Sequence, residues 1–364
     1  MNAPPPTAPG VVLALLQKAH ALMGRGSLEE AETLCRRAVG LAPHSPDAVH
    51  LLALLRRRRG DEAGAEPLIR ESLALAPHRP DFYANYGNLL GATGRVAEAE
   101  RSYRYAMQLD PTFRPARLAL GRLLTGAGHA AAAEQELRAL IAAGSGDGEA
   151  WAALGAALAA QERLAEAEAA YRRAIDLAPG LGYARHNLGN LLSRTGRAAE
   201  ALAAFDEAAA RGAGGRPLHL ARARALSELG RLDEAEREFG IALASAPGDL
   251  ETHALLAKLR FMRGDPDFAR GLREVIEARP GDARPRLTYA TMLREAGEHE
   301  AAAAAFEAAL TVIGPEPALL GGLALTLRAA GRPTAAVEPA RRALAARPDD
   351  PALGNALASI LLCA

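Results

Sequence analysis

Cysteine, lysine and aromatic residues are all scarce in this 364-residue chain. Aromatic residues make up only 4% of it, fewer than a fold built from strands would favour. The two cysteines, Cys35 and Cys363, lie near opposite ends and match no redox or metal-ligand spacing, so we expect no disulfide framework. This pattern suits a reducing compartment, and we predict a cytoplasmic location.

Net charge and long apolar runs are also missing. The chain has 43 basic and 43 acidic residues, so no overall field would draw it to nucleic acid or to an anionic membrane. Near the start, the run VVLALL is too short to span a bilayer, and we expect residues 1–11 to form a disordered tail. The basic residues are nearly all arginine, which together with abundant alanine and glycine favours a bacterial source.

Enzyme and cofactor motifs are lacking as well. The chain has no phosphate-binding loop that ends in Lys-Ser or Lys-Thr, no nucleophile elbow and no HExxH motif. Its nine histidines are scattered, and no cluster of them has metal-ligand spacing. We therefore predict no catalytic residues, no metal and no cofactor within these residues.

A repeat with a period of 34 residues dominates the chain. Glycine recurs at intervals of 34 residues, except for one interval of 33 and one skipped period between Gly128 and Gly196, and alanine recurs in step with it. Such a period is typical of a helical repeat protein. The recurring glycines are Gly26, Gly60, Gly94, Gly128, Gly196, Gly230, Gly264, Gly297 and Gly331.

Each period predicts two helices and two stops, most clearly in residues 81–111. A first helix carries the small residue Gly87 where its partner must approach closely, and Gly94 ends it in a left-handed turn. The second helix places Ala99 and Tyr103 on its buried face, and Pro111 follows its end.

This pattern resembles the tetratricopeptide repeat family, clearest in NYGNLLGATGRVAEAERSYRYAMQLDP and WAALGAALAAQERLAEAEAAYRRAIDLAP. The resemblance covers residues 12–364 and implies an all-α fold, a right-handed superhelical solenoid of about ten helical hairpins and a terminal half repeat. The repeats begin near Val12, Pro46, Pro80, Arg114, Gly148, Gly182, Arg216, Leu250, Ala283 and Pro317, and the half repeat begins at Pro351.

Several departures from the pattern mark places where stacking could loosen. Residues 144–148 and 212–215 are rich in glycine and lack the closing proline, so they are candidate flexible joints or plain turns. In the eighth repeat, Arg273 occupies the usual aromatic position. Residues 351–364 carry no charge, which leaves three alternatives: the natural chain continues, this face self-associates, or it caps the tenth repeat.

The family resemblance implies that successive first helices line a concave groove that holds a protein or an extended peptide. Asparagines there could clamp a peptide backbone, and basic residues would favour an acidic partner. An alternative reading is that these polar groups are only solvated surface. The candidate groove residues are Arg57, Asn88, Arg122, His186, Asn190, Arg224, Lys258 and Arg294.

Two functions fit these expectations. The first is a scaffold that binds partners through the groove and performs no chemistry. The second is the substrate-recruiting arm of a larger modifying enzyme, because relatives in bacteria are often joined to a glycosyltransferase, a sulfotransferase or a 2-oxoglutarate oxygenase module. In that case the catalytic module would follow residue 364.

Overall fold

The computed structural model of the protein describes residues 8–348 and 351–361, and these residues fold into α-helices joined by short turns. The chain divides into two compact units, residues 1–191 and 192–364, with the boundary inside the eleventh helix. The helices up to this boundary are α1 (Ala8–Gly24), α2 (Leu28–Leu41), α3 (Pro46–Arg58), α4 (Glu62–Leu75), α5 (Pro80–Ala92), α6 (Val96–Leu109), α7 (Arg114–Gly126), α8 (Ala130–Leu140), α9 (Gly148–Ala160), α10 (Leu164–Leu177) and α11 (Gly182–Arg194). The second unit continues with α12 (Ala198–Ala210), α13 (Arg216–Glu228), α14 (Leu232–Ser245), α15 (Leu250–Met262), α16 (Arg270–Ala278), α17 (Ala283–Glu295), α18 (His299–Ile313), α19 (Pro317–Ala329), α20 (Pro333–Ala346) and α21 (Pro351–Leu361).

The predicted all-α repeat array is confirmed, and every predicted repeat start from Pro46 to Pro351 is the first residue of a helix. Proline suits this position because the first helical residue has no intrahelical use for its N–H. Aspartate side chains cap some of the other starts. Asp147 accepts a hydrogen bond from the Ala150 backbone N–H at 3.0 Å, and Asp249 caps α15 in the same way.

Left-handed residues end the first helices. Gly94 has φ +77°, and the next residue donates its N–H to the Leu90 carbonyl at 2.8 Å. The recurring glycine is missing from the fifth hairpin, where Glu162 stands in its place. Glu162 nevertheless adopts φ +59°, so the turn geometry is kept although the residue that favours it is absent.

Small residues and rings interlock to form the core of each hairpin. Ala99 is fully buried, and Tyr103 is buried beside it. A Cβ atom added to Gly87 would lie 2.6 Å from the Tyr103 ring, so the first helix reaches this separation only because it carries glycine there. Gly155 and Tyr171 repeat this arrangement two hairpins later.

The eighth hairpin departs from the pattern in the way its second helix faces the core. Ala269 keeps its buried position, but Arg273 lies exposed where other hairpins bury an aromatic ring. The helix α16 begins late, and it buries Leu272 and Val275, while Phe268 in the preceding turn supplies the missing ring. Burying a guanidinium without a partner is costly, so α16 keeps Arg273 at the surface and buries Val275, whose equivalents in other hairpins, such as Tyr105 and Ile241, are exposed.

The start of the array differs from the expectation. A disordered tail is predicted over residues 1–11, but α1 already begins at Ala8, since Pro9 is tolerated in a first helical turn. Residues 1–7 and Cys363 lie outside the described residues. Both predicted joints contain left-handed glycines, Gly144 at φ +80° and Gly212 at φ +81°, and their flexibility remains a prediction.

At the other end, α21 packs against α19 and α20, and Ile360 is buried in the core that these helices share. This packing is the one that the capping alternative expects. Continuation of the natural chain and contact with a second chain remain hypotheses.

Candidate protein-binding surface

Several pairs of successive first helices contact one another within each unit. Helix α5 packs against α7 and α7 against α9, and in the second unit α15 packs against α17 and α17 against α19. On these helices, a residue at one register position therefore lies near its equivalent in the neighbouring hairpin. All eight candidate residues lie on first helices: Arg57 on α3, Asn88 on α5, Arg122 on α7, His186 and Asn190 on α11, Arg224 on α13, Lys258 on α15 and Arg294 on α17.

The candidates differ in exposure. Arg122, Asn190, Arg224 and Lys258 share one register position and are exposed. The other four are half-buried. Burial lowers the pKa of the Arg57 guanidinium and the pKa of the His186 imidazole. The half-buried candidates are Arg57, Asn88, His186 and Arg294.

Asn88 is already engaged by its own hairpin. The Tyr103 hydroxyl donates a hydrogen bond to the Asn88 amide oxygen at 2.8 Å. Burial raises the pKa of Tyr103 to about 12, so this phenol stays a donor at neutral pH. The Asn88 amide oxygen therefore keeps one lone pair for a ligand beside the two N–H donors of its amide, and its role in peptide binding remains a prediction.

Arg122 connects three hairpins of the first unit. Its Nη2 atom lies 3.3 Å from a Glu149 carboxylate oxygen on α9 and 3.3 Å from the Tyr183 hydroxyl on α11. Arg122 and Glu149 are both nearly half exposed, so their ion pair is weak and can be exchanged for another carboxylate. Sequence reasoning missed Tyr183, because its contact with Arg122 depends on a separation between hairpins that no local pattern encodes.

The histidine equivalent to His186 in the second hairpin, His50, is part of the core. Asn85 donates from Nδ2 to His50 Nε2 at 3.0 Å, and His50 Nδ1 lies 3.0 Å from the Ser72 hydroxyl. The imidazole stacks on Phe82 with ring centroids 3.8 Å apart, and burial lowers its pKa to about 4. His50 and Asn85 therefore stabilise the junction of two hairpins, and the buried His50 ring is not available to a ligand.

In the second unit, Arg224 and Lys258 lie at the rim of an open cavity of about 370 Å³. The cavity is a slot between α13 and α15, and Phe239 from α14 lies at its floor. Its size falls at the low end of the range for ligand pockets, about 300–1,000 Å³. The residues that line it are Arg224, Ser227, Glu228, Phe239, Leu255, Lys258, Leu259 and Met262.

Arg294 lines a second cavity, of about 240 Å³, between α17 and α19. Thr291 and Leu325 border it from equivalent register positions on the two helices, and Arg347 from the turn after α20 also contributes. Residues at equivalent positions of the first helices therefore border open cavities at two places in the second unit.

Among the described residues, no group of three or more His, Cys, Asp or Glu side chains could hold a metal ion. None of the described helices is long and apolar enough to cross a membrane.

Comparison with known proteins identifies the family. Models described as tetratricopeptide repeat match residues 16–80, 182–207, 195–259 and 290–351, and a model of the middle TPR-like domain of cilia and flagella-associated protein 70 matches residues 50–178. The chain belongs to the tetratricopeptide repeat family. Arrays of this family generally act as scaffolds for protein–protein interaction and are generally not catalytic.

Solved structures support the same fold at low sequence identity. A tetratricopeptide repeat protein from Parabacteroides merdae is 18% identical, with a TM-score of 0.56, and the match covers 68% of this chain and 98% of that one. Yeast Tom70 is 14% identical, with a TM-score of 0.50 over 96% of this chain and 88% of that one. Identities this low show the fold alone. No curated protein matches the chain.

Proposed function

We propose that the protein is a scaffold that binds another protein, or an extended peptide, along the exposed side chains of its first helices. One observation carries this proposal: a single register position presents polar side chains to solvent on two first helices of each unit, at Arg122 and Asn190 in the first unit and at Arg224 and Lys258 in the second. Within a unit, stacked hairpins can use such repeated positions to follow an extended ligand.

An acidic partner fits this surface best. Three of the four exposed residues in the row are cationic, and two of these cations, Arg122 and Arg224, already hold a carboxylate, Glu149 or Glu251, at a half-exposed position. A partner carboxylate could replace either acid at little cost, since exposed pairs contribute only about 0–1 kcal/mol. Binding should therefore weaken as ionic strength rises.

The test compares two triple variants of the full chain. One changes Arg122, Arg224 and Lys258 to alanine, and the control changes three exposed arginines of second helices, Arg104, Arg173 and Arg237. The net charge of the two variants is the same, so a difference between them reports position and not charge alone.

Immobilised wild type and both variants would be incubated with lysate of the native organism, and bound proteins would be quantified by mass spectrometry. We expect the first-helix variant to lose a defined set of partners that the control variant retains. Equal retention of every partner by the two variants would place the binding surface elsewhere.

A further inference from the structure

The cavity between α13 and α15 has an apolar interior. Phe239 and Leu259, which are 1% and 2% exposed, form its floor, and Leu255 is half-buried in its wall. Met262 is 60% exposed at its edge, the most exposed large apolar side chain among the described residues. An unbranched thioether at such an edge adapts to apolar groups of different shape.

Three charged side chains, Arg224, Lys258 and Glu228, border this apolar interior. Arg224 and Lys258 occupy the same register position on neighbouring first helices, so their cationic groups border the slot from its two sides. Glu228 follows Arg224 by one helical turn and is the one acidic residue that lines the cavity. Cations therefore border the middle of the slot, and an acid borders the C-terminal end of α13.

The two cations differ in how firmly they are held. Arg224 forms an ion pair with Glu251, in which both side chains are about half exposed. Lys258 and Glu228 form no ion pair within the described residues. An ammonium at the edge of apolar surface, across the same slot from a guanidinium whose own partner is exchangeable, is complementary to a ligand carboxylate.

Building on the proposed function, we propose that this cavity binds an apolar side chain of an acidic protein segment, with a neighbouring carboxylate of that segment held by Arg224 and Lys258. The apolar side chain contacts Leu255, Leu259 and Met262, and the carboxylate remains at the rim. A basic segment would place like charges beside the two cations, so it is excluded.

Methyl NMR of the full chain tests this assignment at the cavity itself. The protein would be labelled at its methionine methyl groups, and the Met262 signal would be identified by its loss in the Met262→Leu variant. Of the five methionines, Met262 is the one that lines this cavity. Met23 and Met292, on other first helices, report on the rest of the surface.

The probe is a terminally blocked peptide, Gly-Ser-Asp-Leu-Asp-Ser-Gly, used up to millimolar concentration. We expect a saturable shift of the Met262 methyl signal. Replacing the peptide leucine with alanine should weaken binding by about tenfold, because a pocket discriminates strongly between apolar groups of different size. Asparagine in place of both aspartates should also weaken it, and lysine at those places should abolish it.

Two variants of the protein should act in opposite directions. Lys258→Ala should weaken binding of the aspartate peptide by up to about fivefold, the range of an exposed charged contact. Glu228→Gln should strengthen it, since that change removes an acid that faces the same space. Both side chains are exposed, so unchanged Met23 and Met292 signals would show that the fold is intact.

Failure of this inference differs from failure of the proposed function. An unchanged Met262 signal would overturn the cavity assignment, and shifts of Met23 or Met292 in the same titration would place binding elsewhere on the first helices. Equal binding of the aspartate and lysine peptides would overturn the acidic specificity. The proposed function depends on the triple-variant comparison, which no result of this titration decides.

Discussion

Glu162 offers a quantitative test of how the helical hairpins are built. It has φ +59° at the position where nine other hairpins place glycine. The left-handed conformation costs an L-residue about 1–2 kcal/mol. Glycine pays no such cost, but it loses about 0.5–1 kcal/mol more backbone entropy on folding. The Glu162→Gly variant should therefore be more stable by about 0.5–1 kcal/mol.

The assay is urea unfolding followed by helical circular dichroism, together with amide hydrogen exchange in α9 and α10. Exchange is needed because a long repeat array need not unfold in one step. Protection in these two helices should increase by the same 0.5–1 kcal/mol in free energy of opening, about twofold to fivefold in exchange rate.

Two control variants separate the effect of the left-handed backbone conformation on stability from the effect of the Glu162 side chain. Glu162→Ala removes the carboxylate but keeps the left-handed cost, so it should show no such gain. Gly128→Ala imposes that cost in the hairpin before, where an added Cβ meets nothing within 4 Å, so any loss comes from the backbone. Equal stability of the Glu162→Gly and Glu162→Ala variants would refute the reasoning.

Two further predictions concern the core. Gly87→Ala places a Cβ 2.6 Å from the Tyr103 ring and should destabilise the third hairpin by about 1–3 kcal/mol. Gly91→Ala, whose Cβ would lie 3.2 Å from the Leu123 side chain, should lower the stability less. Urea unfolding compares the two variants. Burial lowers the pKa of His50 to about 4, so the unfolded chain takes up this proton near pH 6.5 while the folded chain does not. Stability should be lost as pH falls from about 6.5 to 4, and His50→Gln should flatten this dependence in melts across that range; an unchanged slope would contradict the account.

Much of the fold could be predicted from sequence because its stop signals are local. A proline at a first helical position and a glycine in a left-handed turn act within a few residues, so helix starts such as Pro80 follow directly from the 34-residue period. The face that α16 buries could not be predicted from such local signals. It depends on the three-dimensional alternative of burying Val275, whose equivalents Tyr105 and Ile241 are exposed, while Arg273 stays at the surface, which is a comparison of packing energies.

The candidate surface was predictable only in outline. The register that exposes Arg122 and Lys258 follows from helical geometry, and the structure keeps both exposed. Engagement of the Asn88 amide by Tyr103 and the cavity beside Met262 depend on distances between helices, which residue spacing does not contain. Sequence therefore indicates which face is presented, and structure shows which groups on that face remain available.

Position-specific photo-crosslinking in the native cell tests the central claim most directly. A benzophenone amino acid would replace Arg122 or Lys258 on first helices, and Arg173 or Arg237 on second helices as controls; all four positions are exposed. We predict discrete protein adducts from the first-helix positions after irradiation and none from the controls. Adducts of the same identity and yield from both sets of positions would contradict the account.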